Sequence, residues 1–496
     1  MAESRWLNRD GQEFQGQSAQ LSTVEHLCGP RGILTLLFTR PIIQTVIRSA
    51  VFRRSFRKDF PAAVRGEGVY VWDTAGNKYL DLSGSAAVNF IGHGVPEISA
   101  AMAEQAAKLE FVHTSQFTTP VAEEYAEELL AFAGEHFRGG AVYFTCGGSE
   151  SIETALKLAR QYQVEIGQGK RHQILSRQQS YHGSTLGALS VSGNKQRREI
   201  YLPMVREFAH VGMPYCYRCD FDCTDGCRNC GQQYAAELEH ALEAAKGEAA
   251  GFIFEPVSGA TLGAVVPPPG YLQTVAEICR HHGVLLIADE VMTGMGRTGR
   301  NFAIEHSSVT PDILVTAKGL SSGYAPLGAV IASARVVEAI AAGSGAFLHG
   351  FTYNAHPISL AAGRAVLQYL EAKKLVEAAD SSQACSPATR FKQALETLSK
   401  EDAVGDVRGI GLLWAVEFVE DKPSKRPFPH TQNFAGKVGA AALKRGLLVY
   451  PMQGSVDGIS GDHLLLAPPA VITQEQIAWS VDQLAQSIRE ANASPS

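Results

Sequence analysis

A lysine and an acid are the residues of this chain best placed to do chemistry. Asp289 ends the apolar run at 284–288, and Lys318 follows a second apolar run at 313–315. Both runs are short and rich in branched residues, which predicts buried strands of a parallel sheet. Ligands bind outside the carboxyl ends of such strands, so we expect Asp289 and Lys318 to face one crevice.

A lysine and a carboxylate in one crevice suit the cofactor pyridoxal phosphate (PLP). The lysine amine forms a Schiff base with the aldehyde of this cofactor. The carboxylate pairs with the pyridine nitrogen and keeps it protonated, so that the ring accepts electrons. The alternative for this pair alone is a surface lysine and an unrelated acid at a strand end.

A glycine turn supplies a candidate phosphate site. The sequence Cys-Gly-Gly-Ser at 146–149 lies between a predicted strand at 141–145 and a predicted helix at 150–164. Exposed amides at such a helix start bind anions. The turn lacks the dinucleotide glycine pattern and the P-loop lysine, so a single phosphate monoester fits better. A plain turn with a helix cap is the alternative.

An aromatic residue follows the next predicted strand. Tyr181 lies in the loop Tyr-His-Gly-Ser at 181–184, after the strand candidate at 174–176. A flat ring at this edge of the sheet would stack on a cofactor ring. An ordinary loop tyrosine is the alternative.

The order of the elements predicts an α/β fold. Strand and helix patterns alternate over residues 140–335, which indicates a mainly parallel sheet covered by helices, and a smaller α+β domain follows. The predicted divisions are 1–60 for an N-terminal tail and amphipathic helical segment, 61–95 for the first part of the small domain, 96–350 for the large domain, and 351–496 for the rest of the small domain.

Composition limits the classes of partner. The chain is 45% hydrophobic and 19% charged, as in globular proteins, and its net charge of −6 gives no reason to expect nucleic acid. No apolar run reaches the length of a membrane span. Nine cysteines without a secretory signal indicate a reducing compartment, and we predict a cytoplasmic location. The arginines that follow the amphipathic segment leave organelle targeting open.

A cysteine-rich insert occupies residues 214–231. Cys216 and Cys219 form one Cys-x-x-Cys pair, and Cys227 and Cys230 form another. Such pairs are typical of structural zinc sites, although the gap between them is short and Cys223 adds a fifth sulfur. The alternative is a surface loop whose cysteines undergo reversible oxidation.

Taken together, these pieces resemble the class III aminotransferases of PLP fold type I, which have a seven-stranded type of sheet. The likeness covers about residues 60–490, and the whole set of motifs in this order is specific. The motifs are Cys146-Gly147-Gly148-Ser149-Glu150, Tyr181-His182-Gly183, Glu255-Pro256, Asp289-Glu290-Val291, Lys318-Gly319, Gly350-Phe351-Thr352 and Arg408-Gly409-Ile410-Gly411.

The resemblance implies a role for each matching position. Lys318 would carry the Schiff base and then move the proton, while Asp289 would pair with the pyridine nitrogen. Tyr181 and Val291 would cover the two faces of the ring. The remaining expected cofactor-binding residues are Gly148 and Ser149 at the phosphate, together with His182 and Glu255.

Two further positions concern the partner subunit and the substrate. Thr352 would reach the phosphate of the neighbouring subunit, so the resemblance implies a homodimer with active sites at the interface. Arg408 would bind the α-carboxylate of an amino acid or keto acid, because its planar donors match a carboxylate. Many relatives that act on ornithine or 4-aminobutyrate have a glutamate after Glu-Pro, but the loop 259–263 contains no acid. We therefore expect no neighbouring glutamate to switch Arg408.

The expected activity is transfer of an amino group from an amino acid or ω-amine to a 2-keto acid by a ping-pong mechanism. The acid-free loop favours a broad ω-amine or β-amino acid transaminase over an ornithine or 4-aminobutyrate enzyme. One alternative is an aminomutase or decarboxylase that uses the same fold and cofactor. Another is a non-catalytic, metal-binding cysteine-cluster protein.

Overall fold

The computed structural model of the chain describes residues 49–221, 227 and 230–493. The chain divides into two compact units, Met1–Phe60 and Pro61–Ser496. The helices predicted before residue 49 lie outside the described residues, and the described residues 49–60 contain no helix or strand. No described helix combines the length and apolar character that crossing a membrane requires.

A seven-stranded sheet forms the centre of the second unit, which confirms the predicted architecture. Gly328–Ala332 pairs antiparallel with both of its neighbours, and the other pairings are parallel. The two strands that precede Asp289 and Lys318 are adjacent and fully buried. Across the sheet the strands are Ala141–Thr145, Gly328–Ala332, Ile313–Thr316, Leu285–Asp289, Ala249–Phe254, Gln173–Arg177 and His210–Val211.

Helices with one apolar face pack around this sheet and the smaller sheets. Pro120–Ala133 begins with a local cap, in which the Thr119 side chain accepts from the Ala122 amide and Pro120 occupies the first turn. The longer helices are Pro96–Lys108, Pro120–Ala133, Gly148–Glu165, Cys230–Ala244, Tyr271–His282, Ala334–Ala342, Pro357–Ala372, Pro387–Glu396, Phe434–Lys444 and Gln474–Ala493.

Two four-stranded sheets form the smaller parts of the fold. The first sheet consists of Ala63–Glu67, Tyr70–Asp73, Lys78–Asp81 and Leu447–Leu448, and its second and third strands form a hairpin. The second sheet, in spatial order, consists of Val404–Ile410, Leu413–Phe418, Asp462–Leu466 and Tyr450–Gln453. The first sheet combines residues from both ends of the second unit. The domain limits at 95/96 and 350/351 stay predictions.

A buried arginine joins the loop after Asp289 to these smaller parts. The Arg297 side chain is 1% exposed and donates to the carbonyls of Asn89 at 2.9 Å, Ala467 at 3.0 Å and Pro468 at 2.6 Å. Burial lowers its pKa to about 9, and Asp81 acts in the opposite direction. The guanidinium therefore fixes two backbone segments, at Asn89 and at Ala467–Pro468, beside the large sheet.

Arg297→Met should lower the free energy of unfolding by at least about 3 kcal/mol. The substitution leaves three buried carbonyls without a donor, and each costs about 1–3 kcal/mol. Urea unfolding followed by circular dichroism measures the change. Arg335→Met is the control, because its ion pair with Asp312 is 57% exposed on the arginine side and should contribute less than about 1 kcal/mol. Equal stability of the two variants would contradict the role of Arg297.

Candidate active site

One cavity of about 470 Å³ opens at the carboxyl ends of the central strands. This volume is in the range of small-molecule sites. Lys318 and Asp289 both line it, as their positions after adjacent strands predicted. The other predicted residues on its wall are Gly148, Ser149, Tyr181, His182, Glu255 and Val291.

Lys318 has the backbone and the environment of a functional residue. Its φ is +43°, a left-handed conformation that residues with side chains rarely adopt and that is more frequent at functional sites. Part of its surface is open to the cavity, but protein surrounds the amine elsewhere. This burial lowers the pKa of Lys318 to about 8, against the opposing effect of Asp289 and Glu255. A large fraction of the amine is therefore neutral, and nucleophilic, near pH 8.

Asp289 is held by two donors on its own side of the cavity. The Nδ1–H of His182 donates to Asp289 Oδ2 at 2.7 Å, and the Val291 amide donates to Oδ1 at 3.0 Å. His182 and Asp289 are 3% and 4% exposed. Because a carboxylate only accepts, this hydrogen bond places a proton on Nδ1 and leaves the buried Nε2 of His182 without a partner among the described residues.

The helix Gly148–Glu165 begins at the cavity with open amides. Its N-cap residue, Gly147, provides no side-chain cap, and no described residue accepts from the amides of Gly148 or Ser149. A Cβ atom at position 148 would lie 3.1 Å from the Val291 side chain, so the glycine allows close packing there. Uncapped amides at a helix start form an anion site.

Glu255 and Tyr181 also line the main cavity. Glu255 accepts from the Gly259 amide at 2.9 Å and from the Tyr181 amide at 3.4 Å, and burial raises its pKa, while His182 opposes that shift. The Tyr181 hydroxyl lies 2.9 Å from the Ser184 hydroxyl. Arg197 stacks on the Tyr181 ring at 4.3 Å from its centroid, a contact that no sequence signal indicated. Together these contacts fix a flat ring at the cavity wall.

The comparisons with known proteins decide the family. The class III aminotransferase family model matches residues 53–488. The chain belongs to the class III aminotransferases. It is 39% identical to an uncharacterised aminotransferase of Bacillus subtilis, YodT, over 86% of this chain and 95% of the relative. It is 33% identical to the adenosylmethionine-8-amino-7-oxononanoate aminotransferase of Geobacter sulfurreducens, over 86% and 91% of the two chains.

Solved structures of aminotransferases share the fold. A thermostable (S)-enantioselective omega-transaminase from Thermomicrobium roseum superimposes with a TM-score of 0.80 and is 38% identical, over 88% of this chain and 94% of that chain. A transaminase from the marine bacterium Virgibacillus also has a TM-score of 0.80, at 33% identity and over 87% and 93% of the two chains. The predicted family, fold type and enzyme class are thereby confirmed.

The cavity of this aminotransferase fits PLP, the cofactor of its family. The open amides of Gly148 and Ser149 match a phosphate, and Asp289, anchored by His182, matches a pyridinium nitrogen. Lys318 offers a poised amine that has no hydrogen-bond partner among the described residues. The open amides, the anchored carboxylate and the Lys318 amine each match one group of the cofactor.

Thr352 lies outside the main cavity of the aminotransferase. It lines a second cavity of about 550 Å³, together with His113, Tyr143, His349 and Asn354. The prediction placed Thr352 at the phosphate of a neighbouring subunit. Its role stays a prediction.

Arg408 also lies away from the lining of the main cavity, and each nitrogen of its guanidinium has a partner. Nη1 pairs with Asp406 at 2.9 Å and with Glu417 at 2.8 Å, and Nε donates to the Gly263 carbonyl at 2.7 Å. Nη2 donates to the Leu262 carbonyl. Burial would raise the pKa of Glu417, but Arg408 and Arg218 lower it, so Glu417 is ionised beside the guanidinium.

This arrangement differs from the expectation that Arg408 has no neighbouring glutamate and is available to bind a substrate carboxylate. The loop 259–263 indeed contributes no acid, and its backbone carbonyls bind Arg408 instead. The neighbouring glutamate comes from the adjacent strand, Leu413–Phe418, which pairs antiparallel with Val404–Ile410. A loop motif cannot reveal a partner that strand pairing supplies.

Three of the four predicted metal-ligating cysteines come together outside the cavity. The sulfurs of Cys216, Cys227 and Cys230 lie within 4.8 Å of one another. Cys219 is not in this group, and its thiol interacts with the Tyr234 hydroxyl. Cys223 lies outside the described residues.

Proposed function

We propose that the protein is a PLP-dependent transaminase that moves an amino group from an amino acid or ω-amine to a 2-keto acid by a ping-pong mechanism. One observation carries the proposal, which is that Lys318, Asp289 and the open start of the helix Gly148–Glu165 meet in one cavity. PLP supplies an aldehyde that takes the amino group and a ring that accepts electrons. Lys318 is the residue to which we assign its covalent attachment.

The residues of the chain divide the work of binding and proton transfer. In each half-reaction the Lys318 amine would carry one proton between the substrate Cα and the cofactor, forward in the first and in reverse in the second. Asp289, fixed by His182, holds a proton on the cofactor's ring nitrogen. The amides of Gly148 and Ser149 bind the phosphate, and Tyr181 and Val291 enclose the ring. These side chains are placed before substrate arrives, which lowers the cost of reorganisation.

Two observations favour a broad ω-amine or β-amino acid donor. The loop 259–263 carries no glutamate, and the carboxylate beside Arg408 comes from a buried strand instead. Among the solved structures that are similar to the chain is an omega-transaminase. The proposal includes a homodimer with Thr352 at the partner's site and a cytoplasmic location.

A donor screen tests the proposed activity. The purified holoenzyme is incubated with ornithine, β-alanine or a simple aryl-alkyl amine, with pyruvate or 2-oxoglutarate as acceptor. We expect keto or aldehyde product and amino acid product in equal amounts, parallel double-reciprocal plots, and faster turnover of the aryl-alkyl amine than of ornithine. Release of carbon dioxide without an amino acid product would contradict transfer, and a strong preference for ornithine would contradict the donor class.

Arg408→Lys should raise the KM for pyruvate and 2-oxoglutarate about tenfold or more. We propose that Arg408 exchanges Glu417 for the substrate carboxylate, and lysine keeps the charge but loses the two-pronged geometry. A lost hydrogen bond to a charged group costs about 1.5–3 kcal/mol, which is at least tenfold in affinity. Steady-state kinetics measure this change.

The half-reaction with the aryl-alkyl amine is the internal control for Arg408→Lys, because that donor presents no carboxylate. Its rate should stay within about threefold of wild type. Arg445→Lys is the matched control variant, since Arg445 pairs with Glu490 and does not line the cavity. An unchanged KM for both keto acids would remove Arg408 from the substrate site.

A further inference from the structure

The sulfurs of the cysteine cluster have the spacing that one metal ion needs. A tetrahedral zinc with Zn–S bonds of about 2.3 Å places its sulfurs about 3.8 Å apart. The sulfurs of Cys216, Cys227 and Cys230 already lie within 4.8 Å of one another, and none of the three is in a disulfide. Small side-chain movements would bring all three to a common ion.

Separate elements hold these cysteines at one place. Cys216 begins the short 3-10 turn Cys216–Arg218, and Cys230 begins the helix Cys230–Ala244. Tyr234, one turn further along that helix, accepts from the Asp220 amide at 3.0 Å and donates to the Asp220 carboxylate at 3.1 Å. These bonds keep the end of the turn against the helix, with Cys219 beside the Tyr234 hydroxyl.

Cys219 is the fourth candidate ligand. It pairs with Cys216 by the same two-residue spacing that separates Cys227 from Cys230. A rotation of its side chain from Tyr234 toward the other sulfurs would complete a four-sulfur set. Four thiolates in a tetrahedron select zinc over harder cations such as magnesium or calcium.

The cysteine-bearing segment also holds the acid that binds Arg408. Arg218 Nε pairs with Glu417 Oε1 at 2.7 Å, and the Tyr215 hydroxyl donates to Glu417 Oε2. The same Oε2 atom lies 2.8 Å from Arg408, and the Arg408 guanidinium lies 4.7 Å from the Tyr215 ring centroid. Residues on both sides of Cys216 therefore determine where Glu417 and Arg408 sit.

We propose that Cys216, Cys219, Cys227 and Cys230 bind a structural zinc ion, which fixes the segment 215–218 against Glu417 and Arg408. Each thiol gives up its proton to solvent when it binds, and no electron transfer is involved. Zinc supports the fold here and takes no part in the chemistry of the main cavity. The site is independent of the proposed transaminase activity, so its tests do not require turnover.

Metal content is the first test. Protein purified without a metal-affinity tag should contain about one zinc per chain by plasma mass spectrometry. Cys216→Ser/Cys227→Ser and Cys219→Ser should each retain less than about a tenth of it. The control is Cys385→Ser, because Cys385 is exposed and outside the cluster, and it should keep the full amount. Full zinc in the double variant would overturn the site, and full zinc in Cys219→Ser would overturn the fourth ligand.

The wild-type chain provides a second test that does not depend on variants folding. Zinc is stripped with a chelator and a thiol-blocking reagent that is later reversed, and Co²⁺ is then added. Absorption bands of tetrahedral thiolate-bound cobalt are expected, and Zn²⁺ should abolish them. Bound iron in the protein as purified, or a disulfide within the cluster under reducing conditions, would overturn the zinc assignment.

Hydrogen exchange tests the link to Arg408. Peptides that cover residues 404–418 should exchange faster in the stripped wild type than in the zinc-loaded protein, by about tenfold or more, because Glu417 loses its fixed partners. Peptides from the helix Pro120–Ala133, which packs at the opposite edge of the large sheet from the helix Cys230–Ala244, serve as the reference and should not change. Equal exchange at 404–418 in both forms would remove the coupling while leaving the metal site in place.

Discussion

Lys318→Ala is expected to abolish transamination, with a loss in kcat/KM of at least about 10⁴-fold. Removal of a residue that acts as both nucleophile and proton carrier has effects on this scale. Among the described residues, no second lysine lines the main cavity to replace the amine. The visible absorbance that depends on a lysine-bound cofactor should disappear together with the activity.

The variant should still fold, because the Lys318 side chain makes no hydrogen bond or ion pair to any described residue, and its burial disfavours the charged amine. Circular dichroism and the unfolding midpoint in urea should stay close to wild type. Lys170→Ala, an exposed lysine outside the cavity, is the control and should keep full activity and absorbance. A Lys318→Ala protein that turns over donors would end the assignment.

Burial patterns made the large sheet predictable. The strand Ala141–Thr145 has the predicted bounds, and Leu285–Asp289 and Ile313–Thr316 agree within a residue. A short apolar run between two helices is typical of a buried parallel strand. Elements with a weaker pattern were not anticipated. The strand His210–Val211 has only two residues, which is too short for a recognisable pattern. The helix Ala334–Ala342 begins two residues after a strand ends, so no loop sequence separates the two elements.

The same logic explains which site residues could be predicted. Asp289 and Lys318 follow adjacent strands, so the rule that ligands sit at carboxyl ends was enough to place them in one cavity. Arg408 follows no such rule. Its partners are Glu417 on the paired strand and, through Glu417, Tyr215 about 190 residues earlier. Side-chain networks of this kind depend on three-dimensional packing and leave no local signature in the sequence.

Asp289→Asn should slow turnover by at least about 10²-fold while the cofactor remains attached. In wild type, His182 and the Val291 amide fix the Asp289 carboxylate, which in the proposed mechanism would keep the ring nitrogen protonated. Asparagine has nearly the same shape, and its carbonyl still accepts from His182, so the cavity should survive. A neutral amide cannot keep the ring nitrogen protonated, so the ring accepts electrons less well. Proton abstraction by Lys318 should then be slower.

Stopped-flow half-reactions with a good donor measure the effect of Asp289→Asn directly. The visible band of the attached cofactor should be present but shifted, which separates loss of proton abstraction from loss of binding. Asp402→Asn makes the same chemical change at an exposed position and should react at the wild-type rate. Asparagine differs from Asp289 mainly in its lack of charge. A half-reaction rate within about threefold of wild type would therefore show that the acid has only a structural role.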